Sequence, residues 1–355
     1  MSPGCAASPL GPGDRRALAQ AISAAEREEA PSGVAPSRPG KGRARAHLVG
    51  LTGPPGSGKS TLADALITAW RAQGRTVAVL AVDPSSPFTG GAVLGDRVRM
   101  QRHATDPAVF IRSMGAHGHL GGLAASARTA VRLVEAAGFE RVLLETVGVG
   151  QSELEVAAVA DTVVVVTTPA GGDGVQAMKA GIMEIADVFV VNKADLDGAE
   201  RTVREIRGLA RAGAAGSGWT APVVASVATR ATGVGELVDA IDRHHAHLAG
   251  SDELDRRRRD RLVEEVVALV ARRAAATARR MVATEGLVGF DGGGVGADLG
   301  EDPVRLADRL LARVAAGAPL PGPAVAPAMG RGSGHGPARA AVPTPGGPSE
   351  GAAPP

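Results

Sequence analysis

Tyrosine is missing altogether, and aromatic residues together make up only 2% of the chain. A core therefore has to be assembled from Val, Leu, Ile and Ala; apolar residues reach 44% of 355 positions. That suffices for a globular body of one large or two modest domains. The same shortage removes the aromatic faces on which single-stranded nucleic acid stacks. Cysteine occurs once, at Cys5, which excludes an intramolecular disulfide and any Cys-x-x-Cys metal site. Charge of one sign is not in excess either: 39 basic and 37 acidic residues leave a formal +2. Such a balance does not mark a nucleic-acid or anionic-membrane binder. No run approaches the roughly 18 apolar residues of a membrane-crossing helix, and the N-terminus lacks a charged-then-apolar signal pattern. The expectation is a cytoplasmic protein with neither nucleic acid nor membrane among its partners.

What is present is strongly patterned. Asp14 stands where a helix N-cap belongs, ahead of RRALAQAISAAEREE. Residues 31–45 are rich in Pro, Gly and Arg and read as a linker. From residue 46, short continuous apolar runs alternate with helical patterns: AHLVGLT, TLADALITAWRAQG, TVAVLAVD, VFIRS, GGLAASARTAVRLVEAAG, RVLLE, DTVVVVTT, VQAMKAGIMEIA, DVFVVN, PVVAS and VGELVDAIDRHH. This alternation predicts an α/β fold, a mostly parallel sheet flanked by helices, with helical extensions at both ends. One long helix is predicted over 252–283, a shorter one in EDPVRLADRLLARVAAG, and a Pro/Gly-rich tail after 317. The expected division is an N-terminal helical arm and linker over 1–45, a nucleotide domain over 46–250, a C-terminal helical arm over 251–317 and a disordered tail over 318–355.

The segment GPPGSGKST at 53–61 matches G-x-x-x-x-G-K-[ST], with a strand before it and a helix after it. Gly53, Pro54, Pro55, Gly56, Ser57, Gly58 and Thr61 are expected to shape a backbone cradle for phosphates. Lys59 is expected to reach the β- and γ-phosphates, and Ser60 to hold Mg²⁺. Acids at strand ends complete such a site. Asp83 ends one strand, Glu145 ends another, and Asp96 lies in the loop FTGGAVLGDRVRM. Together with Ser60 they are the expected metal set; which ligate directly and which through water is left open, since Mg²⁺ keeps several waters.

Asn192, Lys193 and Asp195 stand in NKAD at the end of the strand DVFVV. An aspartate there accepts both the ring N–H and the amino group of guanine, whereas adenine offers the opposite edge. The nucleotide expected is thus GTP or GDP. A second guanine contact is expected after PVVAS, from Val227, Ala228 and Thr229, with the Ala228 backbone N–H offered to the guanine oxygen.

Together these residues resemble the MeaB/ArgK family of GTPases, chaperones of adenosylcobalamin-dependent acyl-CoA mutases. The resemblance covers roughly 14–317 and is carried by GDRRALAQAI, GPPGSGKST, VDPSSPFTGGAVLGDRVRM, HGHLGGLA, ETVGVGQSE, QAMKAGIMEIADVFVVNKAD and EDPVRLADRLL. It implies that Asp83, Asp96 and Glu145 surround the metal and switch segments. It further implies a first switch around Asp96–Arg99, a second in TVGVGQSE, and a third from Gly171 to Lys179 that answers to the mutase. The terminal helices resemble the family's dimerisation arms, so a homodimer is implied. Three departures stand out: Val227-Ala228 replaces the usual Ser-Ala, Val98 replaces a threonine, and the tail lies outside the family pattern. Hydrolysis is expected by in-line attack of water on the γ-phosphate. Gln151 is either the residue that orients that water or an ordinary polar residue of the switch. Turnover is expected to be slow unless a partner accelerates it.

Other features have blander readings. His117 and His119, and the group His244, His245 and His247, are read as polar loop and surface residues rather than metal sites. The run Arg256–Arg259 is read as a solvated helix face. Two other functions stay open: a metallochaperone GTPase for nickel enzymes, and a kinase or ATPase linked to amino-acid transport. The chain lacks the Cys- or His-rich motif of the first, and Asp195 argues against the ATP of the second.

Overall fold

The computed structural model describes residues 14–26, 45–83, 100–115, 122–146, 156–169, 183–213, 218–284, 307–308 and 311–312. The helices are α1 (Arg15–Glu26), α2 (Lys59–Ala72), α3 (Gly122–Ala136), α4 (Ala199–Gly213), α5 (Val234–Gly250) and α6 (Glu253–Thr284). The strands are β1 (His47–Thr52), β2 (Val77–Asp83), β3 (Val109–Gly115), β4 (Arg141–Thr146), β5 (Thr162–Thr167), β6 (Val188–Asn192) and β7 (Val223–Ser226). They form one seven-stranded sheet in the order β3-β2-β4-β1-β5-β6-β7, and every pairing is parallel.

The continuous apolar strands follow from this topology. A parallel sheet is covered on both faces, so both sets of alternating side chains must be apolar. Val49 and Leu51 of β1, with Val77 and Val79 of β2, face a cluster with Leu62, Leu66 and Trp70 of α2 and Leu237 and Ile241 of α5. Leu48, Ala78 and Leu80 face the opposite side, against Val131 and Val134 of α3. A third cluster packs Phe189 and Val191 of β6 on Val203, Ile206 and Ala210 of α4.

The expected N-cap is formed: Asp14 Oδ1 accepts from Ala17 N–H at 3.2 Å. Leu18 and Ile22 of α1 are fully buried in the second cluster, so this helix is part of the body's core. The chain divides into two compact units, Met1–Arg272 and Arg273–Pro355, with α6 beginning in the first and ending in the second. Among the described residues no helix is long and apolar enough to cross a membrane. The tail over 318–355 lies outside the described residues, as does most of the helix expected around 301–317.

Candidate functional site

Residues 53–58 leave β1 at its carboxyl end and turn directly into α2. Gly53 has φ 141°, and a Cβ there would stand 2.0 Å from the Val166 carbonyl oxygen of β5. Gly58 has φ 88°, and a Cβ there would stand 2.4 Å from Asn192 Nδ2. Neither position tolerates a side chain. Gly58 is also the N-cap of α2 and provides no side-chain cap, so the first-turn N–H groups form a ready anion site. Lys59 is only 5% exposed. Its Nζ donates to the carbonyls of Gly53 at 2.8 Å and Pro54 at 3.1 Å, which folds the ammonium into its own loop. Ser57 is buried, and its hydroxyl makes no hydrogen bond among the described residues; a buried polar atom in that condition suits a phosphate oxygen. Pro55 and Gly56 are exposed at the loop's tip, while Pro54 and Thr61 are half-buried.

The acids gather at the same pole. Glu145 of β4 lies in register with Leu51 of β1 and Ala81 of β2. It is buried, and Ser60 Oγ donates to its Oε1 at 2.6 Å. Hard oxygen donors this close, at a helix start, have the chemistry Mg²⁺ requires. Asp83 ends β2 two residues beyond Ala81, in register with Gly115 of β3. Asp96, Gln151, Gly171 to Lys179, and the pair His117 and His119 lie outside the described residues.

Asn192 closes β6 beside this loop. Its side-chain amide donates to the Ser57 carbonyl at 2.8 Å, and its Oδ1 accepts the Ala228 N–H at 3.1 Å. One buried amide therefore joins the phosphate loop to the segment after β7. Lys193 sits at φ 55° and is exposed. The turn behind it is held by Ala194 N–H on the Ser226 carbonyl and Leu196 N–H on the Lys193 carbonyl, both at 3.0 Å. Asp195 points outward, 37% exposed, with Arg230 at 3.6 Å; so exposed a pair adds little stability. Val227 bridges to Thr232, and Ala228–Arg230 form a short 3-10 turn on which Thr229 is exposed. Ser226 is fully buried, so it lies beneath this turn rather than on it, and its hydroxyl makes no hydrogen bond among the described residues. The described residues expected at phosphate, metal and base thus share the carboxyl ends of β1, β2, β4, β6 and β7, where open α/β sheets bind ligands.

The opposite pole carries a network that the sequence reading did not foresee. The arginine run is a solvated face only in part: Arg256 and Arg259 are exposed, while Arg257 and Arg258 turn toward the body. Arg258 binds Asp161 through two contacts, Nη2 at 2.6 Å and Nε at 3.2 Å, and Arg261 binds the same carboxylate. Arg257 reaches Asp187 at 3.5 Å, and His244 Nε2 reaches it at 3.2 Å. Burial alone would raise the Asp161 carboxyl, but the hydrogen bond and charge of Arg258 and the charge of Arg261 outweigh it and hold it at about 2. Arg141 Nη1 donates to His47 Nδ1 at 2.9 Å, so that nitrogen is unprotonated. His47 Nε2–H then donates to Thr162 Oγ1 at 2.8 Å, and Thr162 donates to His244 Nδ1 at 2.9 Å. Burial first, then the charges of His245 and Arg141, keep the His47 imidazole well below the usual histidine range. A cavity of about 830 Å³ also opens at this pole, lined in part by Trp219, His244, His247 and Arg257, and it shares no residue with the phosphate loop. The signal that was available is spacing: 257, 258 and 261 fall on one helical face, but the two aspartates answering it are remote in sequence.

Comparison with known proteins agrees with the nucleotide pole. A Pyrococcus horikoshii protein carrying a GTPase name is 49% identical over 262 residues, 73% of this chain and 83% of the relative. The Escherichia coli protein named GTPase ArgK is 50% identical over 149 residues, 42% of this chain and 45% of its own. A mouse protein named methylmalonic aciduria type A homolog, mitochondrial, is 38% identical over 222 residues, 61% of this chain and 54% of its own. Among solved structures, that of a LAO/AO transport system kinase superposes with a TM-score of 0.58 at 26% identity, covering 85% of this chain and 94% of its own. Residues 18–283 match the family model described as methylmalonyl Co-A mutase-associated GTPase MeaB, and with that span the chain belongs to this family of P-loop GTPases.

Proposed function

We propose that this GTPase is the chaperone of an adenosylcobalamin-dependent acyl-CoA mutase, methylmalonyl-CoA mutase first among the candidates, and couples GTP hydrolysis to cofactor loading, protection and reactivation. The single observation that carries the reading is the family match over 18–283, whose description names that mutase and whose span includes the whole nucleotide pole. The relative named for methylmalonic aciduria supports the same client.

In this reading GTP lies along the start of α2. The loop 53–58 and the first-turn N–H groups receive the phosphates. Lys59 leaves the carbonyls of Gly53 and Pro54 for the β- and γ-phosphates. Ser60, Asp83, Asp96 and Glu145 are the residues that would hold Mg²⁺, which when bound neutralises charge on the β- and γ-phosphates. Asp195 reads the guanine edge, while Asn192 holds the phosphate loop and the 227–229 segment in register with it. Gln151 orients the attacking water. The switches are 96–99, 146–153 and 171–179, and their response to the mutase sets the hydrolysis rate.

A homodimer belongs to the same proposal. On α6, Leu262, Val263, Val266, Val267 and Val270 are each at least half exposed, and their 3–4 residue spacing makes a stripe of the kind that pairs helices. The domain division expected from the sequence, with 251–317 as the dimerisation arm, is retained as part of this reading.

The test is co-purification of the tagged protein from its host with GDP and with a non-hydrolysable GTP analogue. Recovery of a cobalamin-dependent mutase, in amounts that differ between the two nucleotides, is the expected result. Failure to recover any such mutase overturns the chaperone reading. Transfer of phosphate from ATP to a binding protein would favour the transport-kinase alternative instead.

A further inference from the structure

The chain leaves the nucleotide pole twice and returns to the sheet twice at the other pole. After β4 it comes back through the turn 156–160 to Asp161 and enters β5; after β5 it comes back through Met183–Ile185 to Asp187 and enters β6. The excursions between them, 147–155 and 170–182, contain all but the first residue of the second switch and the whole of the third switch of the reading above, on which this inference rests. Both return points are buried aspartates, Asp161 at 0% and Asp187 at 8% exposure. Each also caps the neighbouring strand: Asp161 Oδ2 accepts Leu48 N–H at 3.1 Å, and Asp187 Oδ2 accepts Val163 N–H at 2.8 Å.

One face of α6 takes hold of both. Arg258 grips Asp161 with two nitrogens and donates to the Ala46 carbonyl, at the root of β1, at 2.8 Å. Arg261 binds Asp161 and the Val159 carbonyl. Arg257 spans from Asp187 to the Asp161 carbonyl, at 3.5 and 3.4 Å. The turn 156–160 is in turn pressed on the strand that leads into the phosphate loop, because a Cβ on Gly50 would stand 2.8 Å from Val156 and 2.9 Å from Ala160. Anchoring a helix needs no ions, since apolar packing serves as well or better. The Arg258–Asp161 pair is bidentate, a geometry that is fixed and does not slide. Arg261 adds one contact to the same carboxylate, and Arg257 is shared between Asp187 and Glu253 of its own helix, so the helix is joined most rigidly at Asp161.

We infer that Arg257, Arg258 and Arg261 are positioning residues that couple α6 to the far ends of the second and third switches, so that nucleotide state is felt in α6 and a partner held by α6 alters GTP turnover. The arginines touch neither nucleotide nor metal; they act through Asp161 and Asp187.

The test uses the full chain and the variants Arg257→Lys and Arg258→Lys, which keep charge but lose the fork, with Arg258→Ala as the harsher case. Hydrogen exchange is followed for peptides covering 147–161, 170–187 and 253–265 in the GDP and GTP-analogue states, beside kcat and KM for GTP. In the wild type, α6 exchange is expected to differ between the two states. In Arg258→Lys that difference disappears and kcat changes by about five-fold or more, with KM within about two-fold and the native circular dichroism retained. A purely structural clasp would lower Tm and leave the kcat and the state dependence of α6 intact, which overturns the inference. So does a wild type in which 147–161 and 170–187 respond to nucleotide while 253–265 does not. If none of the three peptides responds, the switch assignment falls together with it.

Discussion

Asn192 donates its side-chain amide to the Ser57 carbonyl at 2.8 Å, joining the end of β6 to the phosphate loop. The same group accepts the Ala228 N–H, so it donates to one loop and accepts from another. Asn192→Asp removes the donor and sets a carboxylate against a carbonyl in a buried place. Loss of a buried hydrogen bond costs about 1–3 kcal/mol, so GDP and GTP-analogue affinity should fall roughly ten-fold or more. Titration with a fluorescent guanine nucleotide measures it, and unchanged affinity would remove Asn192 from the site.

Asp195 is exposed at the mouth of the base segment, with Arg230 beside it at 3.6 Å. Its carboxylate offers two acceptors to the guanine edge. Asp195→Asn replaces one acceptor with a donor, which suits xanthine, whose second carbonyl stands where guanine has its amino group. Preference should move from GTP toward XTP by about two orders of magnitude, as expected when a polar match is reversed. Competition between the two nucleotides checks this, and retained GTP preference would count against the base assignment.

Lys59 is held by two loop carbonyls and must exchange them for phosphate oxygens. Lys59→Ala should lower kcat for GTP by about 10²–10³, the scale of losing one charge-stabilising donor. Phosphate release at saturating GTP reads it out, and near-normal turnover would refute the phosphate-site assignment.

Acid should loosen the protein in two windows. His47 in the folded state resists a proton that the unfolded chain accepts below its ordinary 6.5, so unfolding gains protons and stability falls as pH drops through that value. Asp161 acts with the same sign in a lower window: held at about 2 against an ordinary 3.8, it contributes roughly 2 kcal/mol above pH 4 that fades as pH falls toward 2. Urea unfolding between pH 8 and pH 3 should show both declines. In Asp161→Asn the lower one should be absent, with a general loss of about 3–5 kcal/mol from leaving the arginines unanswered.

Val266 and Val270 lie on the exposed stripe of α6. The double change Val266→Glu and Val270→Glu should convert the proposed dimer to monomer in sedimentation equilibrium while leaving GTP binding within about two-fold. A wild type that is itself monomeric would remove this part of the proposal.

The nucleotide pole was legible because its chemistry is local. GPPGSGKST needs only its own glycines, a preceding strand and a following helix, and NKAD needs only a strand end; each motif is contiguous in the chain. The strands were legible for the same reason, since burial on both faces of a parallel sheet leaves unbroken apolar runs such as VVVV in β5. The role of Asn192 was less so: the motif marks it as a base contact, but its partners Ser57 and Ala228 come from two other loops. The basic run of α6 was misleading, because Asp and Glu within the same helix suggested local pairing. Local pairs do form, as between Arg256 and Glu253. Arg257 pairs with Glu253 as well but also reaches Asp187, and Arg258 and Arg261 turn inward to Asp161, far away in sequence.

By itself, then, the sequence determined the sheet, the strand–turn–helix that carries residues 53–61 and the family, because periodicity and contiguous motifs encode them. Only the tertiary structure decided where Lys59 and Asn192 rest, that Ser226 is hidden, and that α6 is fastened to Asp161 and Asp187. Those outcomes depend on which strand ends become neighbours, and an ion pair between remote residues leaves no periodic trace in a single chain.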